Sequence, residues 1–220
     1  MSEKNKMLDN TEYICNELEC DFPLNCSYCT QYKNKLKRIK KAKMIKDVLV
    51  VVDMQNDFVT GSLGSKQAAA IVPSVVDKIR NFDGLVIFTK DIHNSDKYLQ
   101  TKEGKNLPVL HCATAWGADF VDEIDYLLSE LKEYQVVFKE TFGTMNLFYS
   151  ITKNLGKYQL GTIEICGLVS SICVISNAVL LTTAFPETDI IVDSKCVAGV
   201  EDKDNQAALL VMEKLQIKVI

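Results

Sequence analysis

Three residues of chemically useful type stand at the ends of apolar runs in this 220-residue sequence. Asp53 closes "DVLVVVD", Lys139 lies at the end of "QVVFKE", and Cys173 follows "TIEICG" within "CGLVSSICVISNA". A cysteine at a helix N-terminus has its thiolate stabilised by the helix dipole and by unpaired backbone N–H groups. A nearby lysine lowers the thiol pKa further, and an aspartate can accept the thiol proton and return it to a leaving amine. The same N–H groups can hold a developing oxyanion, so the three types together suit acyl transfer. Each also has an ordinary reading: a turn-capping aspartate, a lysine snorkelling out of a sheet, a cysteine filling an apolar helix face.

The two histidines of the chain, His93 and His111, form a second set with Asp91. Asp91 and His93 in "TKDIH" are two residues apart, so in extended chain they point the same way. His111, in "LPVLHCATAWGADF", offers a third donor from a following loop. One carboxylate and two imidazoles with open positions suit a catalytic Zn²⁺, Fe²⁺ or Mn²⁺ rather than a closed structural site, with zinc the first expectation. The alternative is two unrelated surface-loop histidines.

These residues must be positioned by regular elements, and the patterning supplies them. Six β-branched apolar runs, at 47–53, 85–91, 135–140, 162–167, 189–193 and 217–220, are continuous enough to be buried strands. Between them, 67–82, 117–133, 171–185 and 203–216 carry apolar residues at helical spacing. Alternating strands and helices predict an α/β fold of three αβα layers around a mainly parallel, roughly six-stranded sheet. In such sheets sites form at the carboxyl ends of the strands, where Asp53, Asp91, Lys139 and Cys173 fall. No GxGxxG or GxxxxGK[ST] phosphate loop is present.

Hydrophobic residues at 47% and charged residues at 25% are ordinary for a soluble globular protein. A net charge of −4 gives no general nucleic-acid signal. No apolar run approaches the ~18 residues of a membrane span. The polar start "MSEKNKMLDN" lacks a signal peptide's apolar stretch, so the cytoplasm is expected. The expected partner is a small molecule, with no nucleic acid and no membrane, in a homo-oligomer.

Composition divides the chain into a cysteine-rich, basic extension over 1–45 and a main domain over 46–220. Cys15, Cys20, Cys26 and Cys29 are spaced C-x4-C-x5-C-x2-C, close enough for four thiolates to wrap one structural Zn²⁺. A tail with free thiols, or a strap over the main domain, is the other reading. "KNKLKRIKKAK" reads as a solvated helix face.

"VVVDMQNDF", "TKDIH", "LPVLHC", "VVFKETF" and "GLVSSICV" occur in the order and rough spacing seen in the isochorismatase-like cysteine hydrolases. The region 46–220 resembles that family, and most closely its metal-bearing nicotinamidase branch. The resemblance implies a triad in which Cys173 is the nucleophile, Asp53 the general base and then acid, and Lys139 the group holding charge. It implies metal ligation by Asp91, His93 and His111, the shell being completed by waters or one further side chain. The backbone N–H groups of Val169 and Cys173 would form the oxyanion hole beside a cis Leu168–Val169 peptide. Phe58 would line the ring pocket, and Trp116, in the loop after His111, is a second candidate wall.

The implied reaction is hydrolysis of a linear amide C–N bond through a thioester, nicotinamide giving nicotinate and ammonia within NAD metabolism. In that branch the metal also takes the substrate's ring nitrogen. The sequence departs from the branch in four places. Pro108 stands where a tryptophan is usual, the loop after His111 is one residue short, Ser171 replaces a common aspartate, and Glu140 replaces a glycine. These changes spare the triad and fall on the ring pocket. The alternatives are a hydrolase of another amide or of a vinyl ether such as isochorismate, and a zinc- or redox-responsive binding protein on the same scaffold.

Overall fold

Residues 48–52 are five consecutive apolar side chains. A strand alternates its side chains between two faces, so burying all five requires cover on both. The computed structural model describes residues 44–220. In it, strand β1 (Ile45–Val52) runs through the middle of a sheet, and Val48, Leu49, Val50, Val51 and Val52 are all fully buried. The cysteines proposed for a structural zinc, Cys15, Cys20, Cys26 and Cys29, lie outside the described residues.

The other strands are β2 (Leu85–Asp91), β3 (Gln135–Lys139), β4 (Gln159–Leu168), β5 (Ile190–Ala198) and β6 (Lys218–Val219). They form a six-stranded sheet in the order β3-β2-β1-β4-β5-β6, every pairing parallel. The helices are α1 (Asn56–Val59), α2 (Lys66–Asn81), α3 (Lys102–Asn106), α4 (Ala115–Ala118), α5 (Asp122–Glu130), α6 (Asn146–Leu155), α7 (Ile175–Ala184) and α8 (Asp202–Lys214).

Two cores result, one on each face of the sheet. Leu49, Val51, Cys166 and Leu168 meet Ile71, Val75 and Ile79 of α2 and Ile124 and Leu127 of α5. Val48, Val50, Ile163 and Ile165 meet Leu147 and Ile151 of α6, Leu181 of α7 and Met212 of α8. The architecture is three αβα layers, as the patterning predicts. Among the described residues no helix is long and apolar enough to cross a membrane. Ile165 is fully buried and in register with both Val50 and Val192. Ile165→Ala should therefore lower unfolding free energy by about 2–5 kcal/mol, read as a lower urea midpoint with an unchanged slope.

The short helices α1 and α3 have no counterpart in the sequence reading, and two longer stretches differ from it. The helix expected over 117–133 is broken, because residues 119–121 are drawn into extended pairing with the chain after β1. Phe120 bridges Gln55, Asn56 N–H donates to the Asp119 carbonyl (2.9 Å), and Val121 N–H donates to that of Met54 (3.1 Å). Helix α6 was not anticipated. It buries Leu147, Ile151 and Leu155 at four-residue spacing, but it starts without a side-chain cap.

Strand order reverses between β1 and β4, which opens a crevice at their carboxyl ends. Gly167 sets the closeness of the two strands there. Its φ is +110°, and a Cβ on it would lie 2.1 Å from the Val52 carbonyl oxygen. Only glycine lets the end of β4 run this close beside Asp53.

Candidate active site

Asp53 leaves β1 with φ at +47°, in the left-handed region. The Asp53 N–H donates to Thr89 Oγ1 (3.1 Å), and the Thr89 hydroxyl donates to Asp53 Oδ1 (2.6 Å). The other oxygen, Oδ2, lies 2.7 Å from Lys139 Nζ. Lys139 ends β3 in register with Asp91 at the end of β2, and its ammonium is 3.3 Å from Asp91 Oδ1. The same ammonium donates to Cys173 Sγ at 3.7 Å. The sheet thus brings Asp53, Lys139 and Cys173 together, all buried.

Cys173 lies in a π-type turn, Ser170–Val174, between β4 and α7. Such turns recur at functional sites because they displace a side chain from regular helical register. The Leu168–Val169 peptide before it is cis.

Burial alone would push the Lys139 amine down, but Asp53, Cys173 and Asp91 outweigh it and hold it well above the usual lysine range. Lys139 is therefore a fixed cation. Burial pushes the Asp53 carboxyl up, against the pull of Lys139. Burial also pushes the Cys173 thiol well up, with Asp53 adding to the rise and Lys139 opposing it. This corrects one expectation: the lysine pulls the thiol pKa down, but desolvation and carboxylates win. At rest Cys173 is a thiol beside a proton acceptor.

Asp91, His93 and His111 also converge, their donor atoms lying within 4.8 Å of one another. Asp91 Oδ2 is 3.0 Å from His93 Nε2 and 3.7 Å from His111 Nε2. His111 Nδ1 is 2.8 Å from the Val109 carbonyl, an acceptor only, so Nδ1 carries a proton and Nε2 can present a lone pair. Burial would raise the Asp91 carboxyl, but the two imidazoles and Lys139 hold it well below the ordinary range. Glu103 Oε1 reaches to 3.8 Å from His93 Nε2 and 3.5 Å from His111 Nε2. Two imidazole nitrogens and two carboxylates in one cluster fit a divalent zinc, iron or manganese ion.

Other side chains steady this cluster. Gln55, fully buried, grips the Asp91 backbone at both ends: Nε2 donates to its carbonyl (2.8 Å) and Oε1 accepts its N–H (2.7 Å). Asp57 Oδ2 accepts the Cys112 N–H at 2.7 Å, fixing the residue after His111 where φ is +48°. The Tyr98 ring lies 4.8 Å from that of His93 and 5.1 Å from that of His111, its hydroxyl donating to the Leu107 carbonyl. Sequence reasoning missed Thr89, Tyr98, Glu103, Gln55 and Asp57 as site residues. The last two sit inside "DMQND", where polar residues directly after a fully buried strand were a usable signal.

Cys173, Asp91 and His111 face one cavity of about 300 Å³, walled by Phe58, Leu107, Phe142 and Val169. Phe58, expected as a wall of the ring pocket, and Val169, expected as an oxyanion-hole donor, both line this cavity. Trp116 does not join the site. It is 58% exposed and, on α4, lines a separate groove with Val72 and Pro73.

The isochorismatase domain model matches residues 47–220. The chain belongs to the isochorismatase family. None of the curated proteins matches its sequence. Several solved structures share the isochorismatase-like hydrolase fold. The nicotinamidase/pyrazinamidase of Bacillus subtilis superposes with a TM-score of 0.69 at 21% identity, covering 79% of this chain and 98% of that one. The pyrazinamidase of Pyrococcus horikoshii, solved in complex with zinc, gives 0.66 at 24% identity, with 80% and 98% covered. N-carbamoylsarcosine amidase from Thermoplasma acidophilum gives 0.63 at 25%, with 79% and 95% covered.

Proposed function

We propose that this isochorismatase-family chain is a metal-dependent cysteine amidase that hydrolyses a small uncharged carboxamide, nicotinamide first among candidates, to the acid and ammonia. One observation carries the reading. The Cys173 thiol and the Asp91–His111 donors face the same 300 Å³ cavity, and among the described residues no lysine or arginine lines it. The Lys139 ammonium, beside Cys173, is already engaged by Asp53 and Asp91. Among the described residues a dicarboxylate such as isochorismate would find no lysine or arginine there and only the metal site as counter-charge, whereas a neutral amide meets apolar walls and a nucleophile. The amidases among the structural neighbours support the same chemistry.

Asp53 takes the thiol proton as Sγ bonds to the carboxamide carbon. The oxyanion forms toward the Val169 and Cys173 N–H groups, while Lys139 keeps a balancing charge beside Asp53. Asp53 returns the proton to the amide nitrogen, the C–N bond breaks and ammonia leaves, giving a Cys173 thioester. Water then gives a proton to Asp53 and its oxygen to the acyl carbon; the acid departs and the thiol is restored. A divalent ion held by Asp91, His93, His111 and Glu103 would supply a Lewis-acidic face for a lone pair on the substrate.

The test is ammonia release from nicotinamide, benzamide and a carboxylate-bearing amide, with isochorismate assayed separately. Turnover confined to neutral carboxamides is expected. Preference for a carboxylate-bearing substrate, or turnover of isochorismate alone, contradicts the reading. The backbone clamps give a further prediction. Gln55→Ala or Asp57→Ala should each weaken zinc binding by about 10–100-fold, measured by chelator competition, because the ligands lose their fixed frame.

A further inference from the structure

We propose that Phe142 determines acyl-group size in this enzyme, by walling the catalytic cavity off from a larger one beside it. The inference rests on the amidase reading. The catalytic cavity, about 300 Å³, is at the small end of ligand pockets. Next to it lies a cavity of about 790 Å³, lined by His93 and Tyr98 and by polar chains including Lys97, Lys102 and Glu140. Four residues, Glu103, Leu107, Phe142 and Ile172, face both cavities and so form the partition. Three of them are tied to the site itself. Glu103 stands by the histidines, the Leu107 carbonyl receives the Tyr98 hydroxyl, and Ile172 precedes Cys173 in its turn. Phe142 alone comes from a segment with no chemical duty, the 140–144 connection from β3 to α6.

That connection is fastened to the nucleophile's own helix. Asn177 of α7 is fully buried, one turn beyond Cys173. Its Nδ2 donates to the carbonyls of Cys173 (2.8 Å) and Phe142 (3.3 Å), and its Oδ1 accepts the Thr144 N–H (3.0 Å). Gly143 lies so close to α7 that a Cβ would come within 2.8 Å of Leu180 Cδ1 and 3.1 Å of the Ser176 carbonyl carbon. The backbone that carries Phe142 is therefore tied to the helix that follows the sulfur. Asn177 acts through Phe142 and is a positioning residue. An acyl group of one small ring fits in front of the wall, and a longer one collides with it.

The test compares kcat/KM for nicotinamide and its 5-phenyl derivative, using the full chain loaded with zinc. Phe142→Ala should raise the ratio of the larger to the smaller amide by about tenfold or more. Asn177→Ala should raise it by less, and Phe142→Trp should lower it. Circular dichroism establishes that each variant is folded. Dissociation constants of both amides with Cys173→Ser protein, with and without Phe142→Ala, read the same ratio without turnover. If no variant releases ammonia but the binding ratio shifts, the amidase reading falls and the partition stands. A folded Phe142→Ala protein whose ratios stay within about twofold of the parent overturns the partition, as does failure of both amides to bind any variant.

Discussion

Cys173→Ala should abolish the proposed ammonia release, lowering kcat/KM on the order of 10⁴-fold or more while leaving the fold intact. The sulfur is the group that bonds to the acyl carbon in the proposed mechanism, and nothing lining the cavity can replace it. Alanine at this position keeps the apolar packing of a buried residue in the turn before α7, so unfolding is not the cause of the loss. Cys173→Ser should be nearly as inactive, since a hydroxyl yields its proton to Asp53 far less readily than a thiol does. The same pair sets a pH dependence. Asp53 must be ionised to accept the proton, and burial raises its pKa above the ordinary 3.8. The acid limb of kcat/KM should therefore lie above the usual carboxylate range, and it belongs to the Asp53–Cys173 pair rather than to either residue. On the alkaline side, Lys139 stays charged and the Cys173 thiol lies well above 9.0, so activity should persist through pH 9. A profile that falls off between pH 7 and 9 would contradict these assignments.

The second large effect is on the metal cluster. His111→Ala removes one imidazole from a buried group and leaves Asp91 and Glu103 as facing carboxylates with one fewer counter-group. We expect loss of the bound ion, measured as metal content after dialysis, and a fall in kcat/KM of about 100-fold or more. Chelation of the parent protein should produce the same loss, restored by zinc, iron or manganese. Full activity in metal-free protein would remove the ion from the account while leaving the Cys173 chemistry standing.

The chemistry was more legible than its supports. Asp53 and Lys139 could be singled out from sequence because each closes an apolar run that reads as a strand, and Cys173 because it follows another such run; parallel sheets put such ends together. His93 and His111 were conspicuous by rarity. Their neighbours were not. Tyr98 and Glu103 lie in a stretch of short turns, Tyr98–Gln100 and α3, with no periodicity to read. Trp116 misled because proximity to His111 in sequence says nothing about which cavity a side chain lines, and on the four-residue α4 it lines another groove. The break in the helix over 117–133 depends on backbone pairing with residues 54–56, a long-range contact that local pattern does not encode. The thiol's pKa was misjudged for a similar reason: desolvation depends on burial depth, which only the folded chain reveals.

The central claim is that the carboxamide carbon becomes covalently attached to Cys173. Mass spectrometry of zinc-loaded protein, acid-quenched during turnover of nicotinamide and then digested, tests it most directly. The account predicts an acyl mass increment on the peptide containing Cys173, sensitive to hydroxylamine and absent from Cys173→Ala. Ammonia released with no acylated peptide at any quench time, and undiminished in Cys173→Ala, would contradict it.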